Sequence, residues 1–203
     1  MLKIGVLAST KATDLQAVIN AIDQKKLDAK ITILISDKKD AFAIERAKKN
    51  GISAFFVNPQ GKQREEYDKE VAEILDQHSV ELIFMLGWMR ICSAWFVARY
   101  KNKIMNIHPS LLPAFAGGMD RNVHQLVLDA GVKVTGCTLH FVDEGVDSGP
   151  IIMQKAVDIG CNETVDSLKE KVQKAEQEII IKAIHLFAQG KIKVENKKVL
   201  IEE

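Results

Sequence analysis

An amide and an imidazole stand two residues apart in the segment Asn106-Ile107-His108-Pro109-Ser110-Leu111-Leu112-Pro113. On an extended chain, residues i and i+2 project to one face, so Asn106 and His108 share a side. The pair combines an N–H donor suited to a developing oxyanion with a ring that gains and loses a proton near neutral pH. The apolar Ile104-Met105 before it predicts a strand over 103–107 that delivers the pair. Pro109 ends that strand, because it lacks an N–H and disfavours a helical conformation at His108. The carboxyl edge of a strand is where open α/β sheets bind ligands. Taken alone, the octapeptide reads equally as a core histidine at a strand end. A second segment, Asp143-Glu144-Gly145-Val146-Asp147-Ser148-Gly149-Pro150, adds carboxylates in a loop closed by Gly149-Pro150.

The elements that must position these residues read as strands alternating with helices. Strands are expected over 3–8, 31–35, 54–57 and 82–86. A first helix follows Thr13-x-x-Gln16, which has capping-box form, with Leu15, Val18, Ile19 and Ile22 at helical spacing. Further helices are expected over 41–50, stopped by Gly51, over 64–77 with Tyr67, Val71, Ile74 and Leu75 on one face, and over 94–100. This alternation predicts a parallel sheet wound with right-handed crossovers. The second half is expected to hold a helix over 123–130, a period-two strand over 134–142 and a strand over 151–157. A helix capped by Thr164 should run to about 188, with Val165, Leu168, Val172, Ala175, Ile179, Leu186 and Phe187 on its face. A hairpin over 191–201 closes the chain. The fold class is α/β: a mostly parallel twisted sheet with helices on both faces and antiparallel additions in the C-terminal half. One domain is expected over 1–203, with a nucleotide-binding-like half (1–100), a catalytic half (101–190) and the terminal hairpin (191–203).

Three loops border these elements. Ser9-Thr10-Lys11-Ala12-Thr13-Asp14 leads into a helix N-terminus, which favours an anion, yet it contains no glycine to open its backbone to one. An ordinary βα turn is the alternative. Gly87-Trp88-Met89-Arg90-Ile91-Cys92 either walls a flat ligand or fills the core beneath the next helix. Residues 114–122, with Gly117-Gly118, read as a flexible lid. His140, inside a strand, reads as a hydrogen-bonded structural histidine.

Composition narrows the classes. A net charge of +1 gives no electrostatic case for nucleic acid or an anionic membrane. No apolar run approaches the roughly 20 residues that span a bilayer. The N-terminus lacks the cleavage pattern of a signal peptide. Cys92, Cys137 and Cys161 are far apart and odd in number, so neither a disulfide framework nor a metal site is expected, and a reducing cytoplasm is the default. Cys92 and Cys137 are expected to be buried small hydrophobes.

The segments 106–113 and 143–150, in this order and spacing, resemble the folate-dependent formyltransferase family. Gly87-Trp88-Met89-Arg90-Ile91 and Arg64-Glu65-Glu66-Tyr67-Asp68 are similar to its branch that acts on 5′-phosphoribosylglycinamide (GAR). The resemblance runs from about residue 2 to residue 201. It implies a Rossmann-like formyltransferase fold and transfer of a formyl group from 10-formyltetrahydrofolate to the amine of GAR in purine synthesis, without a metal. It implies a catalytic trio of Asn106, His108 and Asp147. Met89, Arg90, Ile91 and Cys92, with Asn106, Asp143, Glu144, Gly145, Val146 and Asp147, would hold the pterin, much of it through backbone groups. Arg64 would contact the folate. Ala12, Thr13 and Asp14 would receive the GAR phosphate, and Gln173, Lys174, Ala175 and Glu176 the ribose. In the trio, Asn106 and His108 would donate to the oxyanion, and the Asp147 carboxylate would favour imidazolium and fix the ring.

The chain departs from the family pattern twice. The family loop after strand one usually reads Ser-Gly-x-Gly-Ser/Thr-Asn; here both glycines are gone and Asp14 brings a negative charge. The segment Ala116-Gly117-Gly118-Met119-Asp120-Arg121 is a longer variant from which no functional residue is carried over. Methionyl-tRNA formyltransferase, formyltetrahydrofolate hydrolase and a non-catalytic folate- or nucleotide-binding protein are the other readings. The first two normally carry an additional domain for which 203 residues leave no room.

Overall fold

The computed structural model describes residues 1–117 and 122–202, and the chain divides into two compact units, Met1–Asn106 and Ile107–Glu203. The first unit is built from β1 (Leu2–Leu7), α1 (Thr13–Asp23), β2 (Ala29–Ser36), α2 (Phe42–Lys49), β3 (Ala54–Phe56), α3 (Arg64–Gln77), β4 (Leu82–Met85) and α4 (Ala94–Arg99). It also holds most of β5 (Ile104–His108), the strand in which the division falls. Its strand order is β3-β2-β1-β4-β5, all parallel, with pairs such as Ile4↔Leu82, Leu34↔Ala54 and Ile83↔Ile104. Strands buried on both faces need continuous apolar runs, and Ile33, Leu34 and Ile35 are completely buried. At the edge, β3 exposes Phe55 and Phe56.

Two details differ from expectation here. The capping box at Thr13 does not form: Ala12 is the N-cap, in the left-handed region at φ +43°, and no side chain caps the helix. Thr13 is thereby the first helical residue. Gln16 is engaged elsewhere, its amide donating to Asn20 Oδ1 at 3.0 Å and its oxygen accepting from Arg46 Nη1 at 3.1 Å. On α3 the buried face is Tyr67, Asp68, Val71, Ala72 and Leu75, and Ile74 is only half-buried.

In the second unit the strand order is β5-β6-β7, with β6 (Val134–Phe141) antiparallel to β7 (Ile151–Asp158) through pairs such as Val134↔Asp158 and Leu139↔Met153. β6 forms over 134–141, close to the expected 134–142, and its residues 135–141 are all buried, with α6 (Val165–Ala188) packed against β6 and β7. Thr164 caps α6, its Oγ1 accepting from Ser167 N at 3.2 Å. The buried stripe of α6 is Leu168, Val172, Ala175, Glu176, Ile179, Ile180, Ala183 and Ile184; Val165, Leu186 and Phe187 are only half-buried. α5 (Val123–Asp129) starts at Asn122, whose Oδ1 accepts from Gln125 N at 3.4 Å. The hairpin of β8 (Ile192–Glu195) and β9 (Lys198–Ile201) turns at Asn196-Lys197, both at positive φ as a two-residue hairpin turn requires. The lid expected over 114–122, and the longer variant within it, rest on residues 118–121, which lie outside the described residues. Among the described residues, no helix is long and apolar enough to cross a membrane.

Candidate active site

His108 is the last residue of β5 rather than the first beyond it, and it is 7% exposed. Its Nδ1 lies 3.0 Å from Ser110 Oγ. That hydroxyl has one proton, which it donates to Ala114 O at 2.6 Å. Ser110 therefore accepts from His108, and Nδ1 carries a proton. The proton that titrates is consequently the one on Nε2, which faces Asp147 Oδ2 at 3.4 Å. Burial pushes the His108 pKa down, the Asp147 carboxylate pulls it back up, and His140 opposes that pull. Burial is the largest of these influences and sets the net direction.

His140 repeats this arrangement on the other carboxylate oxygen. Its Nδ1 donates to Phe141 O at 2.9 Å, leaving Nε2 3.9 Å from Asp147 Oδ1. Burial lowers its pKa as well, against the backbone bond, Asp147 and Asp143. His140 is thus hydrogen-bonded to the backbone, as expected, and also flanks the carboxylate. Asp147 sits at φ +54°, and its Oδ2 accepts from Gly117 N at 3.0 Å. The loop around it folds on Asp143, whose Oδ1 accepts from Gly145 N at 3.1 Å and from Ser148 Oγ at 2.7 Å. Gly149 closes the loop because a Cβ there would lie 1.8 Å from Phe141 O. Behind His108, Thr138 Oγ1 donates to Ser110 O at 2.7 Å and accepts from Leu112 N at 2.9 Å. Gln154 Nε2 donates to Leu112 O at 2.9 Å, so β6 and β7 both hold the segment 110–112.

In the first unit, the segment after β4 is tied down at each end. Ser9 N donates to Gly87 O at 3.0 Å and Ser9 Oγ accepts from Met89 N at 2.9 Å. Ser93 N donates to Asp68 Oδ2 at 2.6 Å, and Ser93 Oγ caps α4. Gly87 turns at φ +67°, where a Cβ would lie 2.3 Å from Thr10 Oγ1. Trp88 is buried and stacks with Tyr67, 6.4 Å between centroids, while Met89 is half-buried. The core-filling reading therefore fits Trp88. The Arg90 guanidinium lies 4.2 Å over the Tyr67 ring. The Cys92 thiol is pushed up by burial, with Asp68 adding to the shift, so it is no thiolate nucleophile. Cys137 is fully buried, as expected, whereas Cys92 is half-buried and Cys161 exposed. The loop leading into α1 lines a cavity of about 360 Å³ with Ser9, Thr10, Lys11, Lys38, Lys39 and Asp40.

The expected site residues thus fall on both units. Asn106 closes the first unit within β5, two residues before His108. Arg64 opens α3, and Ala12, Thr13 and Asp14 enter α1, with Asp14 buried in its first turn. On α6, Ala175 and Glu176 are buried, Gln173 is half-buried and Lys174 is exposed. Sequence reasoning gave no role to Ser110, Ser9 or Asp68. Their signal is a hydroxyl or carboxylate next to a motif, which carries no meaning until its partner is known. Among the described residues no cluster of three His, Cys, Asp or Glu could hold a metal ion.

The formyl transferase family profile matches residues 2–184. The phosphoribosylglycinamide formyltransferase of Bacillus subtilis is 40% identical over 177 residues, which is 87% of this chain and 89% of that protein. The trifunctional purine biosynthetic protein adenosine-3 of Gallus gallus is 43% identical over 95% of this chain, which spans only 19% of that relative. The crystal structure of glycinamide ribonucleotide transformylase 1 from Symbiobacterium toebii superposes with a TM-score of 0.94 at 39% identity, covering 100% of this chain and 95% of the other. With its fold and its two motifs, the chain belongs to the formyl transferase family.

Proposed function

We propose that this chain transfers the formyl group of 10-formyltetrahydrofolate to the amine of GAR, in the purine synthesis for which its relatives are named. The observation that carries this reading is the buried His108–Asp147 pair, with Ser110 fixing which ring nitrogen exchanges a proton. The bound folate supplies the formyl group. His108 holds and returns a proton at Nε2, and Asp147 orients the ring and balances its charge. Asn106 supplies an amide N–H to the oxygen on which negative charge gathers. GAR brings its own nucleophile, the amine.

The first unit fits a flat ring carrying polar edges. Among the described residues, the backbone N–H groups of Arg90, Ile91 and Cys92 have no hydrogen-bonding partner, and these donors suit a pterin edge. Met89 supplies apolar surface, and Arg64 and Arg90 supply positive charge for the acidic end of a folate. Asp143, Glu144, Gly145, Val146 and Asp147 would complete the pterin contacts. Ala12, Thr13 and Asp14 would take the GAR phosphate, and Gln173, Lys174, Ala175 and Glu176 the ribose. On this reading the reaction takes place in the cytoplasm, where the three free cysteines stay reduced.

Purified protein given GAR and 10-formyltetrahydrofolate should yield formyl-GAR and tetrahydrofolate in equal amounts. Loss of the formyl group at the same rate without GAR would replace this reading with hydrolysis. Absence of turnover with tight folate binding would make the chain a binding protein.

A further inference from the structure

Among the polar features of the described residues that have no part in the proposed chemistry are the partnerless buried Nδ1 of His124 and the two ties that hold the segment after β4. The ties are the best defined. Ser9 is 3% exposed and Asp68 is 5% exposed, and neither is among the residues assigned to a ligand. Each accepts from one backbone N–H, at 2.9 Å from Met89 and 2.6 Å from Ser93. Those two N–H groups bracket the three that stay unpaired, at Arg90, Ile91 and Cys92.

We propose that Ser9 and Asp68 are positioning residues for the folate, clamping both ends of segment 89–93 so that its free backbone donors are held open to the pterin edge. The assignment rests on the folate reading of that segment. Its physical basis is that an irregular stretch of chain gains affinity when its ordering is completed before the ligand arrives. Unclamped, residues 90–92 can turn their N–H groups to water or to neighbouring carbonyls, and each bound folate must then re-order them. Asp68 is well suited to the task. A carboxylate accepting from a backbone N–H makes a stronger bond than a neutral acceptor. Its neighbour on α3, Tyr67, carries Arg90 stacked on its ring, so one turn of helix holds the backbone end and the cation of the same segment. Burial raises the Asp68 pKa, while the bonds to Ser93 and then the charges of Arg90 and Arg64 pull it down and favour the carboxylate. Ser9 performs the matching role from the end of β1, and it grips the segment twice, at Gly87 O and Met89 N.

The test is steady-state kinetics on the whole chain with 10-formyltetrahydrofolate and GAR, for Asp68→Ala, Asp68→Asn and Ser9→Ala, each first checked for folding by circular dichroism. In Asp68→Ala the KM for the folate should rise about tenfold while the KM for GAR changes less than twofold. Asp68→Asn keeps an acceptor oxygen of the same reach and should recover most of that loss. Ser9→Ala should raise the folate KM as well, and it carries the test if Asp68→Ala does not fold. A purely structural role lowers the melting temperature and leaves both KM values of the folded variant unchanged. Folded variants with a folate KM within twofold of the parent overturn the assignment while the functional reading stands. A parent that binds no folate overturns that reading and the assignment with it.

Discussion

Ser110 Oγ lies 3.0 Å from His108 Nδ1 and gives its only proton to Ala114 O, 2.6 Å away. This fixes a proton on Nδ1 and leaves Nε2, facing Asp147, as the atom whose protonation changes. In Ser110→Ala the ring loses its acceptor, and the neutral form is free to move its proton to Nε2, where Asp147 accepts it. That tautomer has no lone pair at Nε2 to receive a proton during the reaction. The variant should lose about tenfold in kcat. Ring-nitrogen NMR shifts at high pH should show the proton of neutral His108 moving from Nδ1 toward Nε2. An unchanged tautomer in the variant would refute the role given to Ser110.

Asp147 supplies the upward pull on the His108 pKa against burial and His140. Removing its charge in Asp147→Asn should therefore push that pKa further down, and the measurement is an NMR titration of the ring in both proteins. His108→Ala removes the ring altogether and should cost at least about a hundredfold in kcat, because one lost donor at a developing oxyanion usually costs that much. Retention of more than a tenth of the parent kcat would sink the assignment of His108 as the acid–base group.

The parts legible in the sequence were those encoded by local pattern. α3 runs over the expected 64–77, since its stripe around Val71 and Leu75 is unambiguous. The terminal hairpin was equally plain, from strands flanking Asn196-Lys197. β6 reads from the sequence as a strand and is one, but the burial of its residues 135–141 is not legible there, because burial depends on what α6 covers. The capping box failed because Thr13-x-x-Gln16 carries no record of the left-handed turn at Ala12 that shifts the helix start. At the site, His108 and Asp147 were legible as motif residues. His140 reads from the sequence only as a structural histidine, since its second contact depends on where the loop returns.

Acid should weaken the fold through three buried imidazoles. Burial lowers the pKa of His108, His124 and His140 below the unfolded value of about 6.5, with Lys169 adding to the effect at His124. Below that pH the unfolded chain binds more protons than the folded one, so stability falls as pH drops from about 6.5 toward the folded pKa values. At pH 8 the rings are neutral in both states and the effect vanishes. Asp68, shifted upward by burial, contributes with the opposite sign, nearer the carboxylate range. Urea midpoints should be lower at pH 5.5 than at 7.5. His124→Gln, uncharged throughout, should shrink that difference. An equal or larger difference in the variant would show that His124 does not contribute.

The entry to α1 sets two charges against each other. The free N–H groups and dipole of an 11-residue helix favour a phosphate, whereas Asp14, 8% exposed in its first turn, repels one. At about 4 Å that repulsion is on the order of 1–4 kcal/mol for effective dielectrics of 80 to 20. Lys11, Lys38 and Lys39 line the adjoining cavity and oppose it, and being exposed they are screened by salt. Asp14→Asn should therefore tighten GAR about tenfold at low ionic strength, and Lys11→Ala should loosen it. Glycine at Ala12, already at positive φ, should add to the gain by relieving backbone strain. Calorimetric titration with GAR for each variant, at two salt concentrations, reads these effects, and both charge effects should shrink as salt is added. If Asp14→Asn instead weakens GAR, the carboxylate contacts the substrate or holds the helix start, and the lost glycines of this loop mark an acceptor bound through side chains rather than through open backbone.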